Sequence, residues 1–258
     1  MREIVSPLSG FGSPFGLRRR DTPALGPAAS GGTETVITQG GKFYRVHTFL
    51  SGGDLTVTQG GDVEYLVVAG GGGGGDPGNG CAGGGGAGGL LQGQTIVTSG
   101  VKCVTVGDGG SSEGNGENSI FDSIEAIGGG AGGSRNILDV ASGGSGGGAG
   151  LGNTGARLGG SGTPGQGNDG GSSLDGRGGG GGGAGFPGQN ADANDGQGGD
   201  GVSVNISGSA VTYAVGGDGG RSSTPSVSGA LNRGNGGTRT GAGGSGIVII
   251  RYEITEAE

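Results

Sequence analysis

The pattern of hydrophobic and polar positions predicts short β-strands throughout the chain. In residues 42–49, KFYRVHTF, successive positions alternate in character, which is the two-residue period of a half-buried strand. Residues 63–69, VEYLVVA, are continuous enough in apolar character to be buried on both faces of a sheet. No segment of adequate length shows the 3.6-residue period of an amphipathic helix. We therefore expect an all-β protein with helix content near zero.

Turn signals separate the predicted strands. Two Thr-Gln-Gly-Gly sequences, at residues 38–41 and 58–61, lie between the first strands, and glycine pairs in such places suit tight hairpins. Residues 95–98 and 101–106 predict a further hairpin that turns at Ser99-Gly100. Short strands with β-branched residues and regular turns are typical of a β-sandwich. The later predicted strands are 119–127, 202–206, 210–215 and 247–254.

Glycine accounts for 79 of the 258 residues, and long glycine blocks lie between the predicted strands. Collagen is excluded, because a triple helix needs a strict Gly-X-Y period and proline at about 15 % or more. This chain has 8 prolines and uninterrupted runs such as 70–75. A disordered chain or a flexible Gly/Ser linker is the alternative, since ordering a residue costs about 1–2 kcal/mol.

The glycine blocks predict a packed bundle of polyglycine II helices inserted into the β-sandwich. A polyproline II-type helix has three residues per turn and no internal hydrogen bonds. When its residues are glycine, neighbouring helices can approach until the N–H groups of one meet the C=O groups of the next. An inward-pointing Cβ would prevent that contact, as it does at the collagen axis. We expect the pure run 178–183 to be enclosed by neighbours and the mixed run 141–149 to lie at the outside.

Charge and hydropathy limit the classes of partner. The net charge of −8 and the pI near 4.6 disfavour non-specific nucleic-acid binding. No stretch approaches the ~20 apolar residues of a membrane span, so we expect no membrane insertion. The N-terminal sequence shows no apolar signal-peptide region.

Catalytic and metal-binding patterns are weak, and we expect neither an enzyme nor a cofactor. His47 is the only histidine and lies in an alternating strand, so no Ser/His/Asp or Cys/His set can be assembled around it. Asp192 and Asp195 do not have the spacing of a calcium loop. Cys81 and Cys103 are expected to be free thiols in a reducing compartment, with a single disulfide bridge as the alternative.

Residues 1–32 differ in composition from the rest of the chain. Proline, serine and glycine interrupt this segment and argue against a helix or a paired strand. It carries four arginines against two acidic residues, together with several large apolar side chains. We predict an extended docking arm that folds on a partner, followed by a glycine-rich domain over residues 33–258, with a mobile tail as the alternative. The anchoring residues are predicted to be Leu8, Phe11, Phe15, Arg18, Arg19 and Arg20.

Two segments resemble a known family. Residues 65–75, YLVVAGGGGGG, and 243–252, GGSGIVIIRY, are similar to the opening and closing signatures of the glycine-rich domain of phage tail and fibre proteins. A similar Leu-Val-Val-Ala-Gly-Gly pattern occurs in the glycine-rich region of anaplastic lymphoma kinase-type receptors. The resemblance covers roughly residues 34–254. It implies a β-sandwich with polyglycine II helices, as in the distal tail-fibre adhesins of T-even-like phages, whose tip loops contact the host receptor.

The resemblance implies a virion protein that is assembled in the host cytoplasm and acts in host attachment, in the manner of fibre proteins that are usually homotrimers. The arm would bind other virion proteins and the loops between glycine runs would meet a host cell-surface receptor. A purely structural virion component, such as a decoration, head-fibre or baseplate protein, is the alternative. Ice binding is a third hypothesis, but no repeated Thr or Ala face supports it. The expected receptor-contact residues are Arg157, Leu174, Asp175, Arg177, Asn190, Asp192, Asn194, Asp195 and Arg233.

Overall fold

The computed structural model describes residues 26–78, 80–135, 140–150 and 155–255. These residues form fourteen β-strands and no helix, which confirms the predicted all-β class, and none of them forms an apolar helix long enough to span a membrane. The strands are β1 (Ala28–Ser30), β2 (Thr33–Gln39), β3 (Lys42–Phe49), β4 (Gly53–Gln59), β5 (Gly61–Val68), β6 (Cys81–Ala82), β7 (Leu90–Val97), β8 (Gly100–Thr105), β9 (Ser119–Phe121), β10 (Ile124–Ala126), β11 (Val202–Val204), β12 (Val211–Tyr213), β13 (Gly220–Arg221) and β14 (Ile247–Ile254).

Two antiparallel five-stranded sheets form the predicted sandwich. We call them sheet A, in the order β1-β4-β8-β9-β10, and sheet B, in the order β2-β3-β14-β5-β7. Leu55 and Val104 from sheet A pack with Val67, Val248 and Ile250 from sheet B in one buried cluster. Burial of this apolar surface holds the two sheets face to face.

A third layer covers the other face of sheet B. The hairpin β11–β12 contributes Val204 and Tyr213 to a second buried cluster, which also contains Val46, Leu66 and Ile249. Strands β5 and β14 therefore have apolar side chains on both faces. This confirms the interpretation that the segment beginning at residue 63 is buried on both sides.

The first Thr-Gln-Gly-Gly sequence forms the predicted hairpin. Gln39 at the end of β2 pairs with Lys42 at the start of β3, with only Gly40 and Gly41 between them. The φ angles of these glycines are 60° and 77°, the left-handed conformation that a two-residue type I′ turn requires and that glycine adopts without strain.

The second Thr-Gln-Gly-Gly sequence does not form a hairpin. It joins β4 in sheet A to β5 in sheet B, so the chain changes sheet at Gly60-Gly61. Val57 before the turn and Val63 after it are both buried in the core between the sheets. The two strands therefore face each other across the core instead of pairing side by side.

The predicted hairpin of residues 95–98 and 101–106 is wrong for the same reason. β7 pairs with β5 in sheet B, whereas β8 pairs with β4 in sheet A. Val97 and Val104 enter the shared core from opposite sheets. Burial of these two side chains, and not the local turn signal at Ser99-Gly100, determines which strands pair.

The predicted arm overlaps the sandwich. Residues 28–30 form β1, which pairs with β4, so the prediction of no paired strand before residue 33 is wrong for these residues. The backbone N–H of Ala29 donates to the Tyr252 hydroxyl at 3.0 Å, which ties β1 to sheet B. The anchoring residues Leu8, Phe11, Phe15, Arg18, Arg19 and Arg20 lie outside the described residues.

The run Gly70–Gly75 shows how the glycine blocks pack. Its backbone N–H groups donate to three neighbouring segments in turn, with a repeat of three residues and N···O distances of 2.8–3.0 Å. Gly70 and Gly73 bond to 114–117, Gly71 and Gly74 bond to 241–244, and Gly72 and Gly75 bond to 83–86. Its carbonyl groups accept in the same rotation from three further segments, 110–113, 129–132 and Gly237. Six neighbours in a three-residue rotation are the arrangement expected of packed polyglycine II helices.

No side chain fits on this run. A Cβ added to any residue from Gly70 to Gly75 would lie 1.7–2.2 Å from a backbone oxygen of a neighbouring segment. Each such atom would push two segments apart and break the hydrogen bonds between them. The density of glycine is therefore a packing requirement of the bundle.

The glycine-rich runs 178–183 and 141–149 are both largely buried. Residues 178–183 are enclosed, as expected, with bonds to segments that include 146–149, 196–199 and 84–87. The expectation that 141–149 lies at the outside is wrong, because residues 144–150 are buried and the Ser145 side chain is fully enclosed. The Ser145 hydroxyl occupies space left open by Gly167, where an added Cβ would lie 2.2 Å from it. A larger residue is thus tolerated inside the bundle opposite a glycine.

We predict that Gly72→Ala destabilises the protein by about 2–3 kcal/mol or more, because its Cβ would lie 2.2 Å from the Gly130 carbonyl oxygen. The matched control is Gly53→Ala in β4, where the nearest atom to the new Cβ is a Phe49 carbon at 3.5 Å. We expect the control to change the free energy of unfolding by less than about 1 kcal/mol. Chemical denaturation measures both values, and equal effects would contradict the packing requirement.

Candidate binding surface

The bundle has a proximal end at the sheets and a distal end closed by loops. Gly70 follows the end of β5 after one residue, and Gly89 leads directly into β7. The described residues 76–78 and 80–82 therefore lie at the far end, where the Gly75 N–H donates to Gly83 O at 3.0 Å. We use the name distal loop surface for residues 76–78, 80–82, 155–158, 172–177, 190–196 and 221–226.

Hydrogen bonds join these loops to one another. The Ser173 N–H donates to Arg157 O at 2.9 Å, and the Ala191 N–H donates to Ser172 O at 2.8 Å. β13 pairs with β6, which connects the 221–226 loop to Cys81 and Ala82. The structure thus brings Arg157, Leu174, Asp175, Arg177, Asn190, Asp192, Asn194 and Asp195 to one end of the bundle.

Arg233 lies at the opposite end, apart from the other expected receptor-contact residues. Its guanidinium Nη1 donates to Thr212 O in β12 at 3.2 Å, and its backbone N–H donates to Ser245 O at 3.0 Å. These contacts place it beside the third layer of the sandwich. It is therefore not part of the distal loop surface.

Several polar side chains of the distal loops complete backbone hydrogen bonding. Asn190 Oδ1 accepts from the Ser172 N–H at 2.7 Å, and Asp195 Oδ1 accepts from the Gly178 N–H at 3.2 Å. Asp192 Oδ1 accepts from the Asn194 N–H at 2.9 Å, which forms an Asx-type turn. A side-chain oxygen here replaces a carbonyl that a further glycine run would supply.

Side-chain oxygens replace backbone carbonyls at further positions along the bundle. There an Asn or Asp oxygen accepts a backbone N–H group that would otherwise lack a partner. The pairs are Asn115 with Ala131, Asn118 with Gly128, Asp169 with Gly162, Asp218 with Gly198 and Asn235 with Val215, at 2.7–3.2 Å. Sequence reasoning assigned such residues to receptor contact or to turns, and the structure gives them a role in the packing.

The 174–177 turn projects from the distal loop surface. Leu174 and Arg177 exchange backbone hydrogen bonds of 3.2 and 2.9 Å, and the two residues between them have φ angles of 46° (Asp175) and 74° (Gly176). This is a two-residue type I′ turn, and it presents Asp175 and Leu174 to solvent. Neither side chain has a hydrogen-bond or ion-pair role in the structure described.

Leu158 is an exposed apolar residue of the distal loop surface that was not among the expected receptor-contact residues. Its side chain is 82 % exposed, and it follows Arg157, which is bridged to Ser173 next to Leu174. The signal was present in the sequence, because an apolar residue in a glycine-rich turn has no obvious core to enter. Leu158 and Leu174 give the distal loop surface apolar contact area.

Charged groups of both signs also lie at the distal end. Arg221 lies 3.7 Å from the Asp195 carboxylate, and Arg239 donates to Thr224 O. The guanidinium Nε atoms of Arg177 and Arg239 are buried without a hydrogen-bond partner. The surface is therefore suited to contact with a partner that carries polar and charged groups.

A fully buried histidine lies in the sandwich, away from the distal loop surface. His47 is fully buried, its Nδ1 is 2.8 Å from Gly31 O, and its Nε2 is 3.2 Å from the Tyr252 hydroxyl. Burial lowers the pKa of its imidazole below the ordinary value of 6.5, against smaller opposing effects of Gly31 and Glu34. A neutral imidazole that donates to Gly31 and accepts from Tyr252 joins the segment after β1 to sheet B.

Arg251 is a buried charged residue on the face of sheet B covered by β11–β12. Its guanidinium donates to Glu64 Oε2 at 2.7 and 3.0 Å and to Ile206 O at 3.2 Å. It also lies over the Tyr44 ring, 4.5 Å from the centroid. This group fastens the hairpin of the third layer to the sheet.

Metal and thiol chemistry add little to the described residues. Among them, no group of three or more His, Cys, Asp or Glu side chains is placed to hold a metal ion. Cys81 is buried at the distal end and Cys103 is exposed on sheet A, and the two do not form a disulfide bond with each other.

Comparison with known proteins supports the domain type. A family model described as a glycine-rich domain matches residues 48–253, which is most of the chain. The matched segment includes β5, the glycine bundle and β14. A search of curated proteins gave no match.

We predict that the free energy of unfolding falls as the pH drops from 7.5 to 5.5. The unfolded chain protonates His47 near pH 6.5, whereas the folded chain resists protonation, so stability is lost as the pH falls through 6.5. This group contributes a slope of at most about 1.4 kcal/mol per pH unit. Denaturant titrations across this range should show a shallower slope for His47→Asn, and an unchanged slope would contradict the assignment.

Proposed function

This chain belongs to the glycine-rich domain family, and we propose that it is a phage tail-fibre protein that binds a host receptor. Its distal loop surface contacts the receptor on the host cell. Its N-terminal arm anchors it to other virion proteins. It requires no cofactor, and it acts by binding without catalysis.

The proposal rests on the positions of Gly26 and the distal loop surface, which lie at opposite ends of the described domain. The described chain begins at Gly26, where an added Cβ would lie 3.0 Å from Glu253 O near the end of β14. β14 starts beside the bundle and ends at the far side of the sandwich, next to the Gly60-Gly61 corner. Gly26, where the described chain begins, therefore lies at the end of the domain remote from the distal loop surface. A fibre-tip protein needs this separation between attachment and recognition.

The bundle also suits the role mechanically. Each enclosed run is hydrogen-bonded to its neighbours in several directions, so the loops are carried on a cross-linked scaffold. Exposed loops on such a scaffold can change sequence without loss of the fold. Leu158, Leu174 and Asp175 are placed to vary in this way.

Removal of residues 1–25 tests the anchor. The deletion stops before β1, because residues 28–30 belong to sheet A. We expect the truncated protein to retain the unfolding midpoint of the full chain and to be missing from assembled particles, as measured by immunoblotting of purified virions. Normal incorporation of the truncated protein would refute the anchor.

Substitution of the exposed apolar residues tests recognition. We expect the double variant Leu158→Lys and Leu174→Lys to lower the host adsorption rate at least about ten-fold, since interface cores tolerate charge poorly. The matched control is Leu231→Lys, because Leu231 is 72 % exposed and lies next to Arg233, away from the distal loop surface. Equal adsorption by the double variant and the control would rule out this surface.

A structural virion role is the second candidate. The use of Asn190, Asp192 and Asp195 as backbone acceptors favours it, because these side chains are occupied within the domain. A decoration, head-fibre or baseplate component would tolerate the double variant with unchanged adsorption, while deletion of residues 1–25 would still prevent its incorporation.

A further inference from the structure

Strand β7 presents an open edge to solvent. It is the last strand of sheet B, and the Leu90 N–H donates away from β5, to Gln166 O at 3.0 Å. Residues of the same parity, Gln92, Gln94 and Ile96, therefore direct their backbone N–H and C=O groups away from β5. Within the described residues these groups have no backbone partner.

This edge lacks the usual protection. Proteins guard edge strands by shortness, charge or proline. β7 is eight residues long, with the sequence LLQGQTIV, and carries neither charge nor proline. The two edges of sheet A, β1 and β10, are three residues each, and β2 at the other edge of sheet B carries Glu34.

The side chains at this edge combine an apolar projection with an adjoining cavity. Ile96 is 73 % exposed. Gln92 separates a cavity of about 330 Å³, which Leu90, Ala184 and Val202 help to line, from one of about 230 Å³ beside Val204. An apolar side chain placed opposite Gln92 on the same face of the sheet would enter this space.

We propose that β7 pairs antiparallel with β7 of a second copy of this chain, about a twofold axis at Gln94. This register sets Gln94 opposite Gln94, and Gln92 opposite Ile96, so that the outward backbone groups of residues 92–96 meet. Ile96 of each copy then lies beside the cavities next to Gln92 of the other. The two five-stranded sheets become one continuous ten-stranded sheet.

A second copy is the occupant that fits, for two reasons. The register is self-complementary, as a twofold interface requires, because the same five residues supply both sides. The chain carries a net charge of −8, so like copies repel except through an uncharged contact, and β7 is uncharged.

A charge introduced at Gln94, the residue on the twofold axis, tests the pairing. Sedimentation equilibrium of the full chain should show a concentration-dependent dimer. Because like charges directly opposite each other are unfavourable, Gln94→Lys and Gln94→Glu should each raise the dimer dissociation constant on the order of five-fold. An equimolar mixture of the two variants should restore association to at least the original strength.

The control is Thr35→Lys at the exposed edge strand β2, which should leave the dimer unchanged. Hydrogen exchange should show slower exchange at Gln92, Gln94 and Ile96 in the original protein than in the Gln94→Lys variant. A monomer at all concentrations, a trimer, or variants that associate like the original would each overturn the proposal.

Discussion

The structure depends on backbone hydrogen bonds between glycine runs that touch without any intervening Cβ. A single run such as 70–75 donates in three directions and accepts from three others, and every one of these contacts is closed to a side chain. A single run has no partners for its N–H and C=O groups, whereas an enclosed run pairs both with its neighbours. The bundle is therefore stable only as a unit.

The sandwich makes this bundle possible by fixing where its runs begin and end. β5 and β14 pair in sheet B, so the runs that follow residue 68 and precede residue 247 start side by side. The first contacts of the bundle, such as the Ala69 N–H with Gly89 O, continue the pairing of β5 with β7. Apolar burial in the sheets therefore supplies the loop closure that the glycine runs could not supply.

Polar side chains between the glycine runs form hydrogen bonds within the bundle. Asn190 and Asp195 were expected at a receptor contact because such residues stand out among glycines, and their oxygens instead accept backbone N–H groups. The structure brings most of the expected receptor-contact residues to one end of the bundle, and there it uses Asn190, Asp192 and Asp195 as backbone acceptors. Leu158, which is 82 % exposed, was not selected, although an apolar residue in a glycine-rich turn has no obvious core to enter.

Most of the longer strands, the glycine runs and the absence of helix in the described residues follow from the amino-acid sequence, because side-chain period and the space around Cα are local properties. The two Thr-Gln-Gly-Gly sequences mark the limit of that information. At 38–41 the strands pair as a hairpin, and at 58–61 the same four residues carry the chain from one sheet to the other. Long-range packing distinguishes the two turns, because Val57 and Val63 are buried by facing each other across the core, and that burial depends on strands distant in sequence.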